Sequence, residues 1–370
     1  MNQNDFLKTR AILEEGLTSA LHLGAQLYIS RKGAVLADCA IGEVFSGIPM
    51  RRETILLWLS SGKPVTAVAI AQLQEQGELD WNDRVTRFIP EFGNHGKDTL
   101  TLRHLLTHTA GFRDADKIST TLPWEEKLDR ICQTPMEEGW VPGEMAGYQT
   151  WSSWLVLAEV IQRVTRNAYP EWVRQRVFAP LDLRDSWIGM PPDQFAIYQE
   201  QDRLGALHNR TGDVLTINPA FSDETAFMVC RPGGGACGPI RELGKFYEFL
   251  LGFHLPNSPV LNPETIRKLT TRHRKGLHDH TFLHIMDWGL GFILNSNRYG
   301  AETVPYGYGR HASEETFGHS GAQSSSAFAD PAHSLVVAWV CNGMPGEWRH
   351  QKRARAINSA IYEDLGLAEN

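Results

Sequence analysis

The sequence predicts an α/β fold in which an antiparallel sheet is flanked by helices and interrupted by an inserted all-helical region. Two observations predict this fold: strand pairs near both ends of the chain, and a long stretch of helical patterns between them. The strand pairs are apolar segments joined by short polar turns, as β-hairpins are. Because neither hairpin can bury its apolar faces alone, we expect both to join one sheet.

The two chain ends supply the predicted sheet and one helix each. Apolar side chains near helical spacing open the chain, and the turn Arg31-Lys32-Gly33 separates the strands of the first hairpin. The turn Asp330-Pro331-Ala332-His333-Ser334 separates those of the second. The expected elements are a helix at 5–22, strands at 25–30 and 34–42, strands at 325–329 and 335–341, and a closing helix at 348–365.

Helical patterns dominate the middle of the chain. They are expected at 65–76, 101–107, 124–132, 153–166 and 169–178. A glycine-rich segment at 232–238 and a helical run at 241–253 mark the return to the α/β part. The predicted division is therefore an α/β unit built from 1–66 and 225–370, with a mainly helical insertion at 67–224.

Composition excludes several classes of function. The chain has 370 residues, of which 42% are hydrophobic, and its 36 basic and 43 acidic side chains give a net charge of −7. This is ordinary globular composition without a general attraction for nucleic acid. The longest apolar runs, such as Leu335–Cys341, are far too short to insert into a membrane.

The first residues and the cysteines predict a cytoplasmic location. The sequence starts without the basic patch and apolar stretch of a secretory signal. An odd, scattered set of cysteines is better explained by free thiols than by disulfides. The five are Cys39, Cys132, Cys230, Cys237 and Cys341.

The strongest chemical signal is Ser60-Ser61-Gly62-Lys63 at the predicted start of a helix. This spacing puts Ser60 and Lys63 on one face, within contact range. A serine hydroxyl needs a base to become a nucleophile, and a desolvated lysine can serve as that base. The helix start also offers N–H donors to a developing oxyanion.

Several segments in order resemble the serine β-lactamase and penicillin-binding-protein superfamily, in particular the branch of class C β-lactamases and serine esterases. The segment 58–67 resembles its nucleophile motif, and 317–322, Phe-Gly-His-Ser-Gly-Ala, resembles its third motif. Further likeness lies in Leu-Arg-His-Leu-Leu-Thr-His-Thr-Ala-Gly-Phe at 102–112, in 142–148 and in 233–243. The resemblance runs from about residue 55 to 340 and implies the β-lactamase/transpeptidase-like fold.

The resemblance also implies roles for individual residues. Ser60 would be the acylated nucleophile, Lys63 would assist its deprotonation, and Tyr148 would act as general base and acid. The backbone N–H groups of Ser60 and Ala322 would form the oxyanion hole. The implied substrate-binding residues are Thr150, Trp151, His319, Ser320 and Gly321.

Two departures from the family pattern point away from β-lactam substrates. The second motif is Tyr148-Gln149-Thr150, with Thr where many β-lactamases have an Asn that binds the β-lactam amide. The third motif carries His319 in place of Lys. A neutral histidine attracts a substrate carboxylate less than a permanent cation does, so the change favours another acyl substrate.

Two other motifs, the nucleophile elbow of α/β-hydrolases and a phosphate-binding loop, match this sequence poorly. The segment 318–322, Gly-His-Ser-Gly-Ala, matches a relaxed nucleophile elbow, but an α/β-hydrolase would need an acid and a histidine among the few residues that follow. Gly62-Lys63 shares two residues with a phosphate-binding loop. There, however, Leu57 takes the place of the first glycine and Pro64 that of the Ser or Thr.

No metal site or cofactor is expected. The histidines at 273, 278, 280 and 284 cluster with one acid, Asp279, and are interpreted as a solvated loop. His104 and His108 lie one helical turn apart, but Leu105 stands where a zinc protease needs Glu, so buried hydrogen-bonded histidines are predicted instead.

The remaining candidates concern the substrate pocket. Trp151, Trp154 and Trp288 could line an acyl pocket, with core packing as the alternative for each. Cys237 lacks a base and is predicted to be inert.

The sequence therefore predicts serine acyl transfer through a covalent acyl-enzyme, most simply hydrolysis of an ester or amide. The alternatives are transfer of the acyl group to an amine or alcohol, as in transesterases and macrocyclising thioesterase-like enzymes, then a β-lactamase or D-amino-acid peptidase, and last an inactive binding module. The expected partner is a small-molecule or carrier-bound acyl substrate.

Overall fold

Both chain ends contribute strands to one seven-stranded antiparallel sheet in the computed structural model, which describes residues 6–253 and 260–368. The order across the sheet is β4-β5-β6-β7-β1-β2-β3. The strands are β1 Gly24–Arg31, β2 Ala34–Phe45, β3 Ile48–Pro49, β4 Ile293–Leu294, β5 Phe317–Gly321, β6 Ser325–Asp330 and β7 Leu335–Cys341. The two predicted hairpins are confirmed, and β1 joins them by pairing with β7, with Ala25 opposite Cys341.

Eleven α-helices lie within the described ranges. They are α1 Leu7–Thr18, α2 Lys63–Glu75, α3 Leu102–Leu106, α4 Trp124–Gln133, α5 Ser152–Thr165, α6 Tyr169–Val173, α7 Pro192–Glu200, α8 Glu224–Met228, α9 Ile240–Leu250, α10 Pro263–Thr270 and α11 Glu347–Asp364. The predicted first and last helices are confirmed as α1 and α11. Helices α7, α8 and α10 were not expected from the sequence.

Alternation along β7 explains why helices cover both faces of the sheet. Val336, Ala338 and Val340 belong to one apolar core together with residues of α9, whereas Val337 and Trp339 belong to a second core with residues of α1 and α11. Successive side chains of a strand point to opposite faces, so a central strand covered on both sides is apolar throughout. The predicted antiparallel sheet flanked by helices is confirmed.

The middle of the chain is mainly, but not entirely, helical. Short strands occur at Trp187–Ile188, His208–Thr211 and Val214–Ile217. The last two form a hairpin that turns at Gly212, whose φ of 61° is easily adopted only by glycine. The expectation of an all-helical insertion is therefore too simple, and the division into two units stays a prediction. No helix in the described part of the chain is long and apolar enough to cross a bilayer.

Candidate active site

Ser60 lies in a single 3₁₀ turn, Leu59–Gly62, that leads directly into α2. The turn is strained, because Leu59 has a φ of 51°, an unusual value for a residue with a branched side chain. It packs against β5 through glycine: a Cβ at Gly321 would lie 2.4 Å from the Trp58 carbonyl oxygen. The turn and β5 can approach this closely only because position 321 has no side chain.

Lys63 is the first residue of α2, and its ammonium group is buried beneath Ser60. Its Nζ lies 2.7 Å from Ser60 Oγ and 2.7 Å from the Thr150 carbonyl oxygen, and it also contacts the carbonyl oxygen of Gly233. Burial lowers the pKa of Lys63 to about 7, whereas the nearby charge of Asp116 raises it. Near neutral pH a substantial fraction of Lys63 is therefore an uncharged amine.

Tyr148 approaches Ser60 from the other side, with its hydroxyl 2.9 Å from Ser60 Oγ. Burial raises the pKa of this phenol, and the hydrogen bond with Ser60 only partly opposes the shift. The charges of Asp116 and Asp279 raise it further, so none of the described neighbours of this phenol brings its pKa down to the neutral range. Tyr148 is thus a neutral hydrogen-bond donor in this structure.

Asp279 holds the Tyr148 segment in place. Its Oδ1 accepts the backbone N–H of Tyr148 at 3.1 Å, and its Oδ2 accepts a bond from Arg274 at 2.9 Å. Both side chains of this ion pair are buried, so their charges compensate each other in a medium where an isolated charge is costly. Asp279 was noted in the sequence only as the acid among the clustered histidines.

Asp116 is a site residue that the sequence did not reveal. Its carboxylate accepts the backbone N–H of Thr150, that of Trp151 at 3.3 Å and that of Ser152 at 2.9 Å, at the start of α5. It therefore fixes the segment whose Thr150 carbonyl binds Lys63. Nothing in the local sequence links Asp116 to a helix that begins 36 residues later.

The β5 residues predicted to bind substrate have different surroundings. His319 is 1% exposed, its Nδ1 bonds the Ser320 carbonyl oxygen at 3.0 Å, and burial lowers its pKa well below the usual value, so the ring is neutral. Ser320 bonds Ser326 through the hydroxyls at 3.0 Å. His319, Ser320 and Ala322 line the site cavity, whereas Gly321 instead packs against the turn that carries Ser60.

The cavity above Ser60 has a volume of about 670 Å³ and mainly apolar walls. Thr150 and Trp151 line it, together with Tyr148. The main apolar wall residues are Leu59, Trp151, Leu155, Phe221, Phe282, Ile293, Pro305, Tyr306 and Ala322.

Two of the three candidate pocket tryptophans form the wall behind the catalytic candidates. Trp154 and Trp288 are fully buried and do not line the cavity. The ring of His108 lies 4.6 Å from those of Tyr148 and Trp288, and its Nδ1 accepts the backbone N–H of Gln149 at 3.1 Å. His108 is therefore a packing residue behind Tyr148, as the prediction of a buried hydrogen-bonded histidine implies.

The other sequence candidates are structural. His104 accepts the Thr101 N–H at 3.2 Å and so caps α3. No group of three or more metal-ligating side chains occurs in the described ranges. Ser320 lies within β5, not on the strand-to-helix turn that a nucleophile elbow requires. Burial raises the pKa of Cys237 to about 12, and none of the five cysteines is in a disulfide bond, as predicted.

Comparison with known proteins identifies the family. The β-lactamase family model matches residues 9–361. The chain is 26% identical to esterase EstB of Burkholderia gladioli over 367 residues, which covers 91% of each protein. A penicillin-binding protein homologue from Caulobacter crescentus has 25% identity and a TM-score of 0.79, with 97% of each chain covered.

A family VIII carboxylesterase has the same fold, with a TM-score of 0.79 at 24% identity and 97% of each chain covered. The match of the family model extends over nearly the whole chain, and the superposition with solved structures covers both the sheet and the helical region. The chain therefore belongs to the β-lactamase family, as a serine hydrolase or acyltransferase of that superfamily.

Proposed function

We propose that this enzyme hydrolyses carboxylic esters or amides through a covalent acyl-enzyme on Ser60. One observation carries the proposal: Ser60 Oγ lies within hydrogen-bond distance of both Lys63 Nζ and Tyr148 OH at the base of a largely apolar cavity. A nucleophile with one group able to take its proton and another able to donate one is the minimum that acyl transfer requires.

Lys63 is the better candidate for the base. An uncharged amine has two N–H donors and one lone pair. The carbonyl oxygens of Thr150 and Gly233 can accept the two donors, which leaves the lone pair for the Ser60 hydroxyl. Because the pKa of Lys63 is lowered to about 7, this form is well populated at neutral pH.

Tyr148 is the better candidate for the acid. As the bond from Ser60 Oγ to the acyl carbon forms, the Ser60 proton passes to Lys63, and negative charge on the former carbonyl oxygen faces the N–H groups of Ser60 and Ala322. Tyr148 then donates its proton to the departing alcohol or amine as that bond breaks. The proton on Lys63 then passes to the Tyr148 oxygen. In the second half of the reaction Lys63 takes the Tyr148 proton back, and the Tyr148 oxygen takes a proton from the water that attacks the acyl carbon. Lys63 finally gives its proton to Ser60 Oγ as the acid leaves.

The substrate is proposed to be an ester in the first place. The neutral, buried His319 offers no cation at the position where a β-lactam carboxylate would need one, which supports an ester over a β-lactam or peptidoglycan substrate. EstB, which is similar over nearly its full length, is an esterase by name.

Acyl transfer to an amine or alcohol is the second candidate. A cavity of about 670 Å³ with mainly apolar walls has room for an acceptor beside the acyl group and disfavours water there. Product analysis with an activated acyl thioester and an added amine separates the two: amide indicates transfer, and free acid indicates hydrolysis.

Covalent labelling tests the nucleophile. We expect intact-mass measurement to show one fluorophosphonate adduct on the wild-type protein and none on the Ser60→Ala variant. The same substitution should abolish turnover of p-nitrophenyl acetate. Ser61→Ala is the matched control, because Ser61 is buried and bonds Ser325 at 2.9 Å instead of Lys63 or Tyr148. Labelling that survives Ser60→Ala would refute the proposal.

A cytoplasmic site of action is part of the same proposal, and five cysteines outside disulfide bonds support it. Fractionation of cells that produce the untagged chain, with a cytoplasmic and an exported marker enzyme, tests it. Recovery with the exported marker would contradict this location.

A further inference from the structure

Three buried lysines have very different surroundings. Lys63, Lys97 and Lys127 are at most 3% exposed. Lys63 and Lys97 each contact three oxygen atoms, as an ammonium group requires. The Lys127 ammonium has a single long bond of 3.4 Å, to the carbonyl oxygen of Thr120.

Lys127 lies beside a second incompletely bonded cation, Arg231. The Arg231 guanidinium donates from Nη2 to the Ala226 carbonyl oxygen at 2.5 Å, and its Nε is buried without a partner. Burial lowers the pKa of both groups, and the charge of Arg231 adds a smaller lowering of the pKa of Lys127. Among the described residues neither has a carboxylate partner at ion-pair distance, although the charge of Asp223 acts on Arg231 from further away.

Both cations line the cavity that contains Ser60. Two neighbouring positive groups that lack an acid are costly in a buried place, and an anion bound between them would compensate both. A carboxylate has the chemistry that this pair calls for, because its two oxygens can accept from an ammonium and from a guanidinium.

Different neighbours connect Tyr148 and the two cations to the rest of the cavity. The Tyr148 ring lies 4.7 Å from that of Phe282, which lies 5.6 Å from that of Tyr306, so these rings lead from Tyr148 along one arm of the cavity. Arg231 is instead connected to Lys63 through Gly233, whose carbonyl oxygen Lys63 contacts. If a group protonated by Tyr148 departs along these rings towards Phe282, the acyl chain extends the other way, towards Arg231.

We propose that Lys127 and Arg231 form a carboxylate subsite for the far end of the acyl chain, so that the preferred substrates are half-esters of dicarboxylic acids. The inference rests on the proposed function for its chemistry. The binding of a carboxylate between the two cations is nevertheless measurable without any turnover.

Paired substrates test the subsite. We expect p-nitrophenyl hydrogen adipate or suberate to be hydrolysed with a kcat/KM about 10–100-fold above that of the corresponding methyl esters, because a hydrogen bond to a charged group is stronger than one to a neutral group. Lys127→Met and Arg231→Gln should each remove most of this ratio. Lys268→Met, which changes a half-exposed lysine of α10, should leave the ratio as in the wild type.

The same design can overturn the subsite or its placement. A ratio near one in the wild type, or a ratio that survives both variants, overturns the subsite. A carboxylate on the leaving group gives the second arm, in which 4-acetoxybenzoate is compared with its methyl ester. A preference for the acid here that is lost in Lys127→Met would overturn the assignment to the acyl side.

Binding to Ser60→Ala separates this inference from the proposed function. Calorimetry should show that monomethyl adipate binds this variant more tightly than dimethyl adipate does, and that added salt reduces the difference. Equal affinities would overturn the subsite even if the enzyme hydrolyses esters. Tighter binding of the half-ester by a protein that hydrolyses no ester would support the subsite and refute the proposed function. Because this measurement keeps Lys127, it decides the matter even if Lys127→Met does not fold.

Discussion

Lys63 and Lys97 are both buried lysines that contact three oxygen atoms, but the kind of oxygen differs between them. Both are completely buried, and burial lowers the pKa of Lys63 to about 7 and that of Lys97 to about 8. All three oxygens around Lys97 are backbone carbonyls, that of Asn94 and those of Cys132 and Thr134 at the end of α4. One of the three around Lys63 is a hydroxyl that faces a cavity.

The comparison separates a lowered pKa from a catalytic role. A carbonyl oxygen has no proton to give, so an uncharged Lys97 could accept nothing from its neighbours, whereas an uncharged Lys63 could deprotonate Ser60. Perturbed pKa values are frequent at functional sites, but structural groups have them too. The neighbouring hydroxyl and the open cavity distinguish the two lysines.

The largest expected effect is a loss of activity in a variant of Lys63 that the matching variant of Lys97 does not show. Lys63→Met should reduce kcat/KM for p-nitrophenyl acetate by up to about 10⁴-fold, because the base is lost. Lys97→Met should leave kcat/KM of the folded enzyme within a factor of about two but lower the free energy of unfolding by roughly 2–4 kcal/mol, since three carbonyls lose their donor. Urea unfolding and steady-state kinetics on both variants check this. An active Lys63→Met enzyme would refute the assignment of the base.

Two buried tyrosines next to α2 extend the comparison. Tyr148 bonds the Ser60 hydroxyl at 2.9 Å, and Tyr169 bonds the hydroxyl of Thr66, further along the chain in α2, at 2.6 Å. Tyr148→Phe should lower kcat by about 10²–10⁴-fold without unfolding the protein, because the proton donor is lost. Tyr169→Phe should cost about 1 kcal/mol of stability with nearly normal kcat. Similar kinetics for the two variants would contradict the role of Tyr148.

The pH profile sharpens the distinction between the lysines. If uncharged Lys63 is the base, kcat/KM should rise with pH through about 7 and then level off. Each pH unit below that midpoint should cost about tenfold. Lys97→Met should keep the same midpoint, because the titrating group is Lys63. A profile that is flat between pH 5.5 and 8.5 would show that Lys63 does not control the rate.

Local patterns predicted the sheet and half of the site. The hairpins turn within a few residues, and Ser60 and Lys63 are one helical turn apart, so spacing alone predicts both. Tyr148 was found only by resemblance, because 88 residues separate it from Ser60. The hairpin at 208–217 and the short helices α7, α8 and α10 were missed, since short segments provide little periodicity.

The site residues that the sequence did not reveal are brought together only by the folded structure. Asp116 bonds backbone groups of another segment, and Lys127 and Arg231 line one cavity only because α4 and the segment before the glycine-rich turn fold beside it. No spacing in the sequence could reveal these contacts. They follow from how the helices of the middle region pack against one another, which a pattern of apolar residues leaves undetermined.

The smallest expected effect concerns the pKa of Lys63, which the charge of Asp116 influences. The negative charge of Asp116 raises the pKa of Lys63 and so opposes the effect of burial. Asp116→Asn should therefore shift the midpoint of the pH profile to lower pH, by less than about one unit. Because Lys63 would then be uncharged over a wider range, kcat/KM at pH 6 should fall less, relative to the plateau, than in the wild type.

Loss of a helix-capping contact alone would not shift the midpoint. The matched control is Asp364→Asn, since Asp364 accepts the backbone N–H groups of Lys8 at 3.1 Å and Thr9 at 2.9 Å at the start of α1, far from Ser60 in the sequence. Both variants should lose roughly 1 kcal/mol of stability, because each removes a charged cap of a helix. Only Asp116→Asn should move the midpoint. A shift to higher pH, or equal midpoints in the two variants, would mean that the charge of Asp116 does not set the pKa of the base.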